Sequence, residues 1–421
     1  MRVLVLGANG FIGRHLTAAL LSAGHKVVAA VRRPDEIRRR FPGIHTVKAD
    51  LNQDIAPDIW MHRLEGIDAV VNAAGILRAT PGQSLDAVHI EGPLALYEAC
   101  QAQGVRRIIH ISATGADTGA GTGFATSKHE AEERLKAFDL DWMVLRPSLV
   151  YAQGSYGGTS LMRGLSALPF VIPLPGKGDQ PFQPLHADDL AQVVISLLES
   201  RQINRCTLEP CGPERLFLKD ILIRWRAWLG LPEATILSIP LPMLRLACKM
   251  GDVLGRGPFS TTALNQLLYG NAADPEAFSK ATGMQFDSLD RWLARSPSHV
   301  QDRWHARLYF IKPLLRAVLA FLWLGSGLMG LFLPPGSWSE IPVSPFLARL
   351  AGGVDLVFAA SLILGQGLRW SLPLQALVIA GYTAILSFLV PGLWLEPLGP
   401  LLKNLPALAA VLVLMAMEDE R

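Results

Sequence analysis

Beyond Lys312 the chain almost stops carrying charge, and no other feature constrains its fold as strongly. The 109 positions from Pro313 onward hold five basic and six acidic residues, which leaves 34 basic and 30 acidic for the first 312. Four long apolar runs fill this stretch: Leu314–Leu333, Phe346–Leu364, Leu372–Leu395 and Leu398–Met417. Each approaches the ~20 residues that carry a helix across the hydrocarbon core of a bilayer. The breaks read P-P-G-S-W, G-Q-G-L-R-W and P-G-L-W, with Trp338, Trp370 and Trp394 placed as interfacial anchors. About four transmembrane helices are expected over residues 313–421, after a basic juxtamembrane linker at 301–312. Only 18% of the whole chain is charged and the mean hydropathy is +0.29, against about a quarter charged in soluble proteins. A wholly soluble protein, a disordered chain and a disulfide scaffold are excluded.

Positive residues set the expected orientation. Arg303, Arg307, Lys312 and Arg316 precede the first span, while Pro334–Pro345 carries no Lys or Arg. The front of the chain should face the cytoplasm. The first apolar run, R-V-L-V-L-G, ends in a glycine turn, so neither a signal peptide nor a transit peptide is expected, and a multi-pass protein of the inner (cytoplasmic) membrane fits. A net charge of +3 gives no nucleic-acid surface. The four cysteines lack the spacing of a metal site and read as reduced, buried thiols.

The first 146 residues alternate short apolar runs with amphipathic helical patterns. Strands are expected at Arg2–Leu6, Lys26–Val31, Ile44–Lys48, Ala69–Ala73, Arg107–Ser112 and Asp141–Arg146, with helices at Phe11–Ala23, Leu85–Gln103 and Ser127–Phe138. Strands apolar on both faces and separated by helices indicate a doubly wound parallel α/β sheet. Residues 147–297 loosen into Gly- and Pro-rich turns with short helices and read as a small cap, so that one domain spans 1–300.

The most specific local signal is G-A-N-G-F-I-G, Gly7 to Gly13, between the first strand and the first helix. There Gly7 permits a tight turn, Gly10 lets the backbone approach a pyrophosphate, and Gly13 allows close helix–strand packing. The helix N-terminus then offers N–H groups to phosphate. After the second strand the sequence reads A-V-R-R-P, with no acidic residue for a ribose hydroxyl. Arg32 and Arg33 suit a 2′-phosphate, so NADP(H) is expected ahead of NAD(H). Asp50 either accepts from the adenine amino group or caps the next turn.

Together with V-N-A-A-G (Val71–Gly75), L-R-P-S-L-V-Y (Leu145–Tyr151) and L-H-A-D-D-L-A (Leu185–Ala191), this motif resembles the extended and atypical short-chain dehydrogenase/reductases. H-I-S-A-T-G-A-D (His110–Asp117) and L-N-Q-L-L…G-N (Leu264–Asn271), followed by S-L-D-R-W-L, are similar to the branch related to the nucleotide-binding accessory subunit of respiratory complex I. The apolar end resembles the DoxX-like four-helix domain. The resemblance implies a Rossmann domain that binds its cofactor through Gly7, Asn9, Gly10, Phe11, Ile12 and Gly13. Arg32, Arg33, Asp50 and Leu51 follow, then Ala73, Ala74, Gly75, Lys128 and Pro147.

In that family a Tyr and a Lys four residues apart share a helix face, and a Ser or Thr ends the fifth strand. The lysine lowers the tyrosine pKa for proton exchange with a carbonyl. Here the stretch reads G-F-A-T-S-K: Lys128 is present, but Phe124 holds the tyrosine position. Ser112 and Thr114 are both candidates for the hydroxyl. Tyr151 and Tyr156 follow the sixth strand and could face the nicotinamide, although cap packing is the commoner role. His186 with Asp188 and Asp189 reads as architecture, with an Asp as helix N-cap. Arg349 and Asp355 lie within the second apolar run; the first can snorkel, the second is a functional candidate.

Two functions fit. One is an NADP-dependent oxidoreductase on a lipophilic, quinone- or isoprenoid-like substrate. The other is a cofactor-loaded, non-catalytic assembly or redox-sensing subunit of a membrane complex, towards which Phe124 tilts the balance. A tethered sensor of the NADP/NADPH ratio is a third.

Overall fold

The computed structural model describes residues 1–80, 82–200, 202–254, 260–334, 344–396 and 399–418. Trp338 and most of the loop after the first apolar run lie outside the described residues. The chain divides into two compact units, Met1–Ala306 and Arg307–Arg421.

The first unit is built on β1 (Arg2–Leu6), β2 (Lys26–Val31), β3 (His45–Lys48), β4 (Ala69–Asn72), β5 (Arg107–Ile111) and β6 (Asp141–Leu145). They form one parallel sheet in the order β6-β5-β4-β1-β2-β3, and a seventh strand, Cys206–Leu208, adds to the outer edge of β6. This order reverses direction between β1 and β4, the crevice in which doubly wound sheets bind ligands. Alternate residues serve opposite faces. Val3, Val5, Val27, Ala29 and Val71 pack with Leu16, Leu20, Leu190, Val194 and Leu197 on one side. On the other, Leu4, Leu6, Val28, Ala30 and Val70 pack with Trp60, Leu96 and Tyr97. With both faces covered, neither needs a polar stripe, which is why the strands read as continuous apolar runs.

Among the described residues the cap holds three short strand pairs besides its helices. Val150–Tyr151 runs parallel to Leu185–His186, Val171–Pro175 parallel to Thr235–Ile239, and Pro181–Phe182 antiparallel to Leu216–Phe217. Its own core gathers Tyr151, Ile172, Leu174, Phe182, Ile221, Leu222 and Trp225. The helix Ala187–Glu199 returns to the sheet, so the region after residue 147 contributes both a covering helix and an edge strand to the Rossmann layer.

The basic stretch is itself part of a long helix, Val300–Phe332, with Pro313 inside it, most of which belongs to the second unit. The helices Pro345–Leu364 and Leu368–Leu389 follow. These three are long and apolar enough to cross a membrane. The fourth apolar run differs from expectation: its helix, Asn404–Met417, has 14 residues, or about 21 Å at the α-helical rise, short of a ~30 Å hydrocarbon core. Gly327 and Gly330 meet Gly352 so closely that a Cβ at Gly327 would lie 2.8 Å from the Gly352 carbonyl oxygen. Small residues at such crossings let helix backbones touch. Phe321, Phe346, Trp370 and Phe388 point outward and are largely exposed, as lipid-facing side chains are.

Candidate functional site: the carboxyl edge of the parallel sheet

The glycine loop has the geometry its sequence requires. Gly7 has φ of +69°, and a Cβ there would lie 2.9 Å from the Ala73 carbonyl oxygen. Gly13 is tighter still, since its Cβ would fall 2.0 Å from the Gly7 oxygen. Gly10 is the N-cap of the helix Phe11–Ser22, supplies no side-chain cap, and is exposed. Its added Cβ would meet only the Gly7 oxygen, at 3.1 Å. The first-turn N–H groups of Phe11, Ile12 and Gly13, which have no partner within the helix, thus open onto a bare backbone surface. That is the cradle a diphosphate needs.

Beside this loop, Asn9 is held between elements. Its Nδ2 donates to Glu36 Oε2 at 2.8 Å, and Arg40 donates to its Oδ1 at 3.3 Å. Arg33 donates to the other Glu36 oxygen at 2.9 Å and holds that carboxyl below its ordinary range. Arg32 is exposed. The end of β2 therefore carries a cationic cluster with a carboxylate lodged inside it, and the sequence reading missed Glu36. Asp50 caps a turn: one carboxylate oxygen accepts from Asn52 N–H at 3.1 Å. Leu51 is buried beneath Gly92.

At the end of β4 the chain turns out through Ala73, Ala74 and Gly75. Lys128, on the helix Gly123–Lys136, reaches back to the sheet and donates to the Ile111 carbonyl at 2.9 Å. A Cβ on Gly75 would sit 3.3 Å from Lys128 Nζ and 3.5 Å from His89 Nε2, so all three share one small space. Lys128 is only 4% exposed, and burial draws its ammonium down to about 8.

His89 lies on one turn of π-helix, Ala87–Glu91, which leads into the helix Gly92–Gln103. Such bulges turn a side chain out of helical register and recur at functional sites. The Nε2 atom accepts from Ile76 N–H at 3.1 Å, which leaves Nδ1 as the protonated nitrogen, donating to Ser127 Oγ at 2.8 Å. Ser127 passes the chain on by donating to the Phe124 carbonyl at 3.1 Å. Burial and the nearby Lys128 push His89 down to about 2, so the ring is neutral. Its edge-on neighbour at 5.7 Å is the Phe124 ring, with which it fills the space beside Lys128. A further buried relay, in which Asn72 donates to Tyr97 OH at 3.0 Å and Tyr97 OH lies 2.8 Å from His110 Nδ1, underlies the end of β4.

Several candidate residues lie elsewhere. Ser112 donates to the wholly buried Glu132, which also forms a 2.6 Å ion pair with Arg146. Thr114 donates to the Arg146 carbonyl at 3.0 Å, and its N–H to Pro147 O at the same distance. Both hydroxyls thus serve the junction of β5 and β6. Tyr151 is 2% exposed, packs edge-on to His186, and belongs to the cap core. Tyr156 stacks on Phe11 at 6.0 Å, placing an aromatic pair at the mouth of the glycine loop. The N-cap of Ala187–Glu199 is His186 rather than an aspartate, because the helix starts two residues earlier than its apolar pattern. Asp189 accepts from Trp292 Nε1 at 2.9 Å, and His186 stacks on that indole at 3.7 Å. Arg349 is exposed, whereas Asp355 is buried.

Residues 7–201 match the family described as NAD(P)H-binding, and residues 320–412 the DoxX-like family. The chain belongs to the NAD(P)H-binding Rossmann family and carries a DoxX-like C-terminal domain. It is 28% identical over 195 residues to a ceramide reductase of Caulobacter vibrioides, covering 46% of this chain and 60% of that protein. It is 31% identical over 179 residues to the mitochondrial protein fmp52 of Aspergillus niger, 39% of this chain and 74% of that one. A third relative is the 40 kDa subunit of NADH-ubiquinone oxidoreductase of Neurospora crassa, 25% identical over 224 residues, covering 52% and 57%. A short-chain dehydrogenase/reductase superfamily protein of Agrobacterium tumefaciens with bound NAD superposes with a TM-score of 0.54 at 16% identity, covering 75% of this chain and 99% of that one. The chain spans about three fifths of the length of both the ceramide reductase and the 40 kDa subunit.

Proposed function

We propose that this protein is a membrane-anchored, NADP(H)-dependent reductase of a lipophilic substrate with a quinone- or isoprenoid-like head, its Rossmann unit on the cytoplasmic side of the inner membrane. The observation that carries the reading is the placement of Lys128 beside Gly75 at the sheet's carboxyl edge, where a bound nicotinamide ribose would meet it. The cofactor, when bound, supplies hydride. Gly7 to Gly13 hold its diphosphate, Arg32 and Arg33 its 2′-phosphate in exchange for Glu36, and Lys128 its ribose hydroxyls. His89 and Phe124 wall the space and exclude water from it.

A phenyl ring at position 124 has no proton to give, and Tyr151 is turned into the cap core. A quinone suits such a site, because the hydroquinone anion left by hydride addition takes its proton from bulk water once it has left the walled space. The ceramide reductase relative, by its name, acts on a lipid, which supports a membrane-dissolved substrate. A second reading, a non-catalytic cofactor-binding subunit of a membrane complex, is supported by the same Phe124 and by the 40 kDa subunit relative. NADPH absorbance followed in detergent with a panel of quinones and lipid ketones separates the two. Turnover supports the reductase; tight NADPH binding without turnover, in wild type and in Phe124→Tyr alike, supports the subunit. Arg32→Ala should weaken NADPH far more than NADH, and equal loss would remove the NADP preference.

A further inference from the structure

The helix Leu241–Leu254 in the cap has two apolar faces. Cys248 and Gly251 are buried and Leu244 half-buried on the face it turns to its own unit. Opposite them, Met243, Leu246, Met250 and Val253 are 63, 63, 60 and 88% exposed. Steps of three and four residues keep these four on one stripe. Exposed Arg245 and Lys249 border that stripe. The acidic Asp252 is turned away, accepting from the N–H and hydroxyl of Thr261 on the following helix. A soluble surface rarely aligns four large apolar side chains in this way.

We propose that this helix is a lipid-contacting element, its Met243–Val253 stripe seated at the headgroup–acyl boundary of an anionic bilayer. A large apolar face flanked by basic residues is the signature of helices that lie in that interface, and Arg245 and Lys249 supply the complement to anionic headgroups. The same chain carries three helices long enough to cross a membrane. The helix is therefore held at high effective concentration near lipid, and even weak interfacial affinity suffices. The inference rests on membrane anchoring alone and is independent of the chemistry at the cofactor site.

The test uses the full chain reconstituted in vesicles of phosphatidylcholine with phosphatidylglycerol. Single cysteines introduced as Met243→Cys, Met250→Cys or Val253→Cys, in a Cys206→Ser background, carry a bimane label. The expected result is severalfold stronger quenching by shallow nitroxide lipids than for a label at the exposed Asp35→Cys, with loss of part of that quenching in Arg245→Gln/Lys249→Gln. Labels that stay open to aqueous iodide in vesicles would overturn the proposal. So would labels shielded from iodide in vesicles yet no more quenched by shallow nitroxide lipids than the Asp35→Cys label, which would assign the stripe to a second copy or another protein.

Discussion

The carboxyl edge of the parallel sheet and the interior of the helical unit both bury polar side chains among apolar ones, and among the described residues each leaves a buried atom unsatisfied, an imidazole nitrogen (His110 Nε2) in the first and a carboxylate oxygen of Asp355 in the second. In the sheet, Glu132 is fully buried yet accepts from Arg146 through two nitrogens and from Ser112. Lys128 and His89 are likewise fully placed. In the helical unit, Trp323 donates to Gln375 at 2.8 Å, Gln375 to Ser371 at 2.7 Å, and Ser371 meets Ser361 at 2.6 Å. Asp355 departs from this pattern: one oxygen accepts from Ser326 at 2.6 Å and the other is buried without a partner among the described residues. Buried polar groups in closed networks specify packing, whereas one left incomplete costs stability that packing alone does not explain.

The largest effect tests the closed network of the sheet. Glu132→Ala leaves Arg146 with its longer, 3.6 Å pair to Glu209 and should cost about 3–5 kcal/mol, read as a lowered urea midpoint of the Rossmann unit; a loss below about 1 kcal/mol would show that the pair is solvated. Lys128 sharpens the contrast, because its burial beside the Ile111 carbonyl lowers its ammonium pKa and so costs stability. With its folded pKa near 8 and an unfolded value near 10.4, the unfolded chain holds more protons between those values. Stability should therefore rise with pH across about 8 to 10.4, by up to roughly 3 kcal/mol. Lys128→Met should remove that rise, stabilise the apoprotein at neutral pH, and weaken NADPH binding. In the helical unit, Gln375→Leu leaves the Trp323 indole N–H without its acceptor and takes one of two partners from Ser371, which keeps Ser361, and should cost about 1–3 kcal/mol. Asp355→Asn, which keeps the Ser326 contact, should change thermal stability in detergent much less. The smallest effect is at the glycine loop: Glu36→Gln frees Arg33 and should tighten NADPH up to about fivefold without changing NADH, measured by fluorescence titration.

The parallel sheet was legible because covered strands must be apolar throughout, and all six expected strands form with ends shifted by at most one residue. The seventh was not, since Cys206–Leu208 is too short for any period to show and its partner, β6, lies far back in sequence. Gly7, Gly10, Gly13 and Lys128 were readable because a βα turn and an i, i+4 helix face convert spacing directly into position. His89 was hidden inside an apolar run that reads as ordinary helix, and only the π-turn at Ala87–Glu91 rotates it towards Lys128. Glu132 lies in an A-E-E-R run whose charges alone do not show which one is buried; its burial depends on Arg146, contributed by another element. Register likewise decided what sequence left open, turning Ser112 towards Glu132 and Tyr151 into the cap. The fourth apolar run showed hydropathy without showing that, among its described residues, only 14 are helical.

The account stands on a dinucleotide diphosphate bound by the bare first turn behind Gly10. Calorimetric titration of the full-length protein in detergent with NADPH, beside Gly10→Val, tests this most directly. Saturable heat in the wild type and none in a Gly10→Val protein of unchanged melting temperature is the predicted result. No heat from the wild type at millimolar NADPH, or equal heat from both proteins, would contradict it.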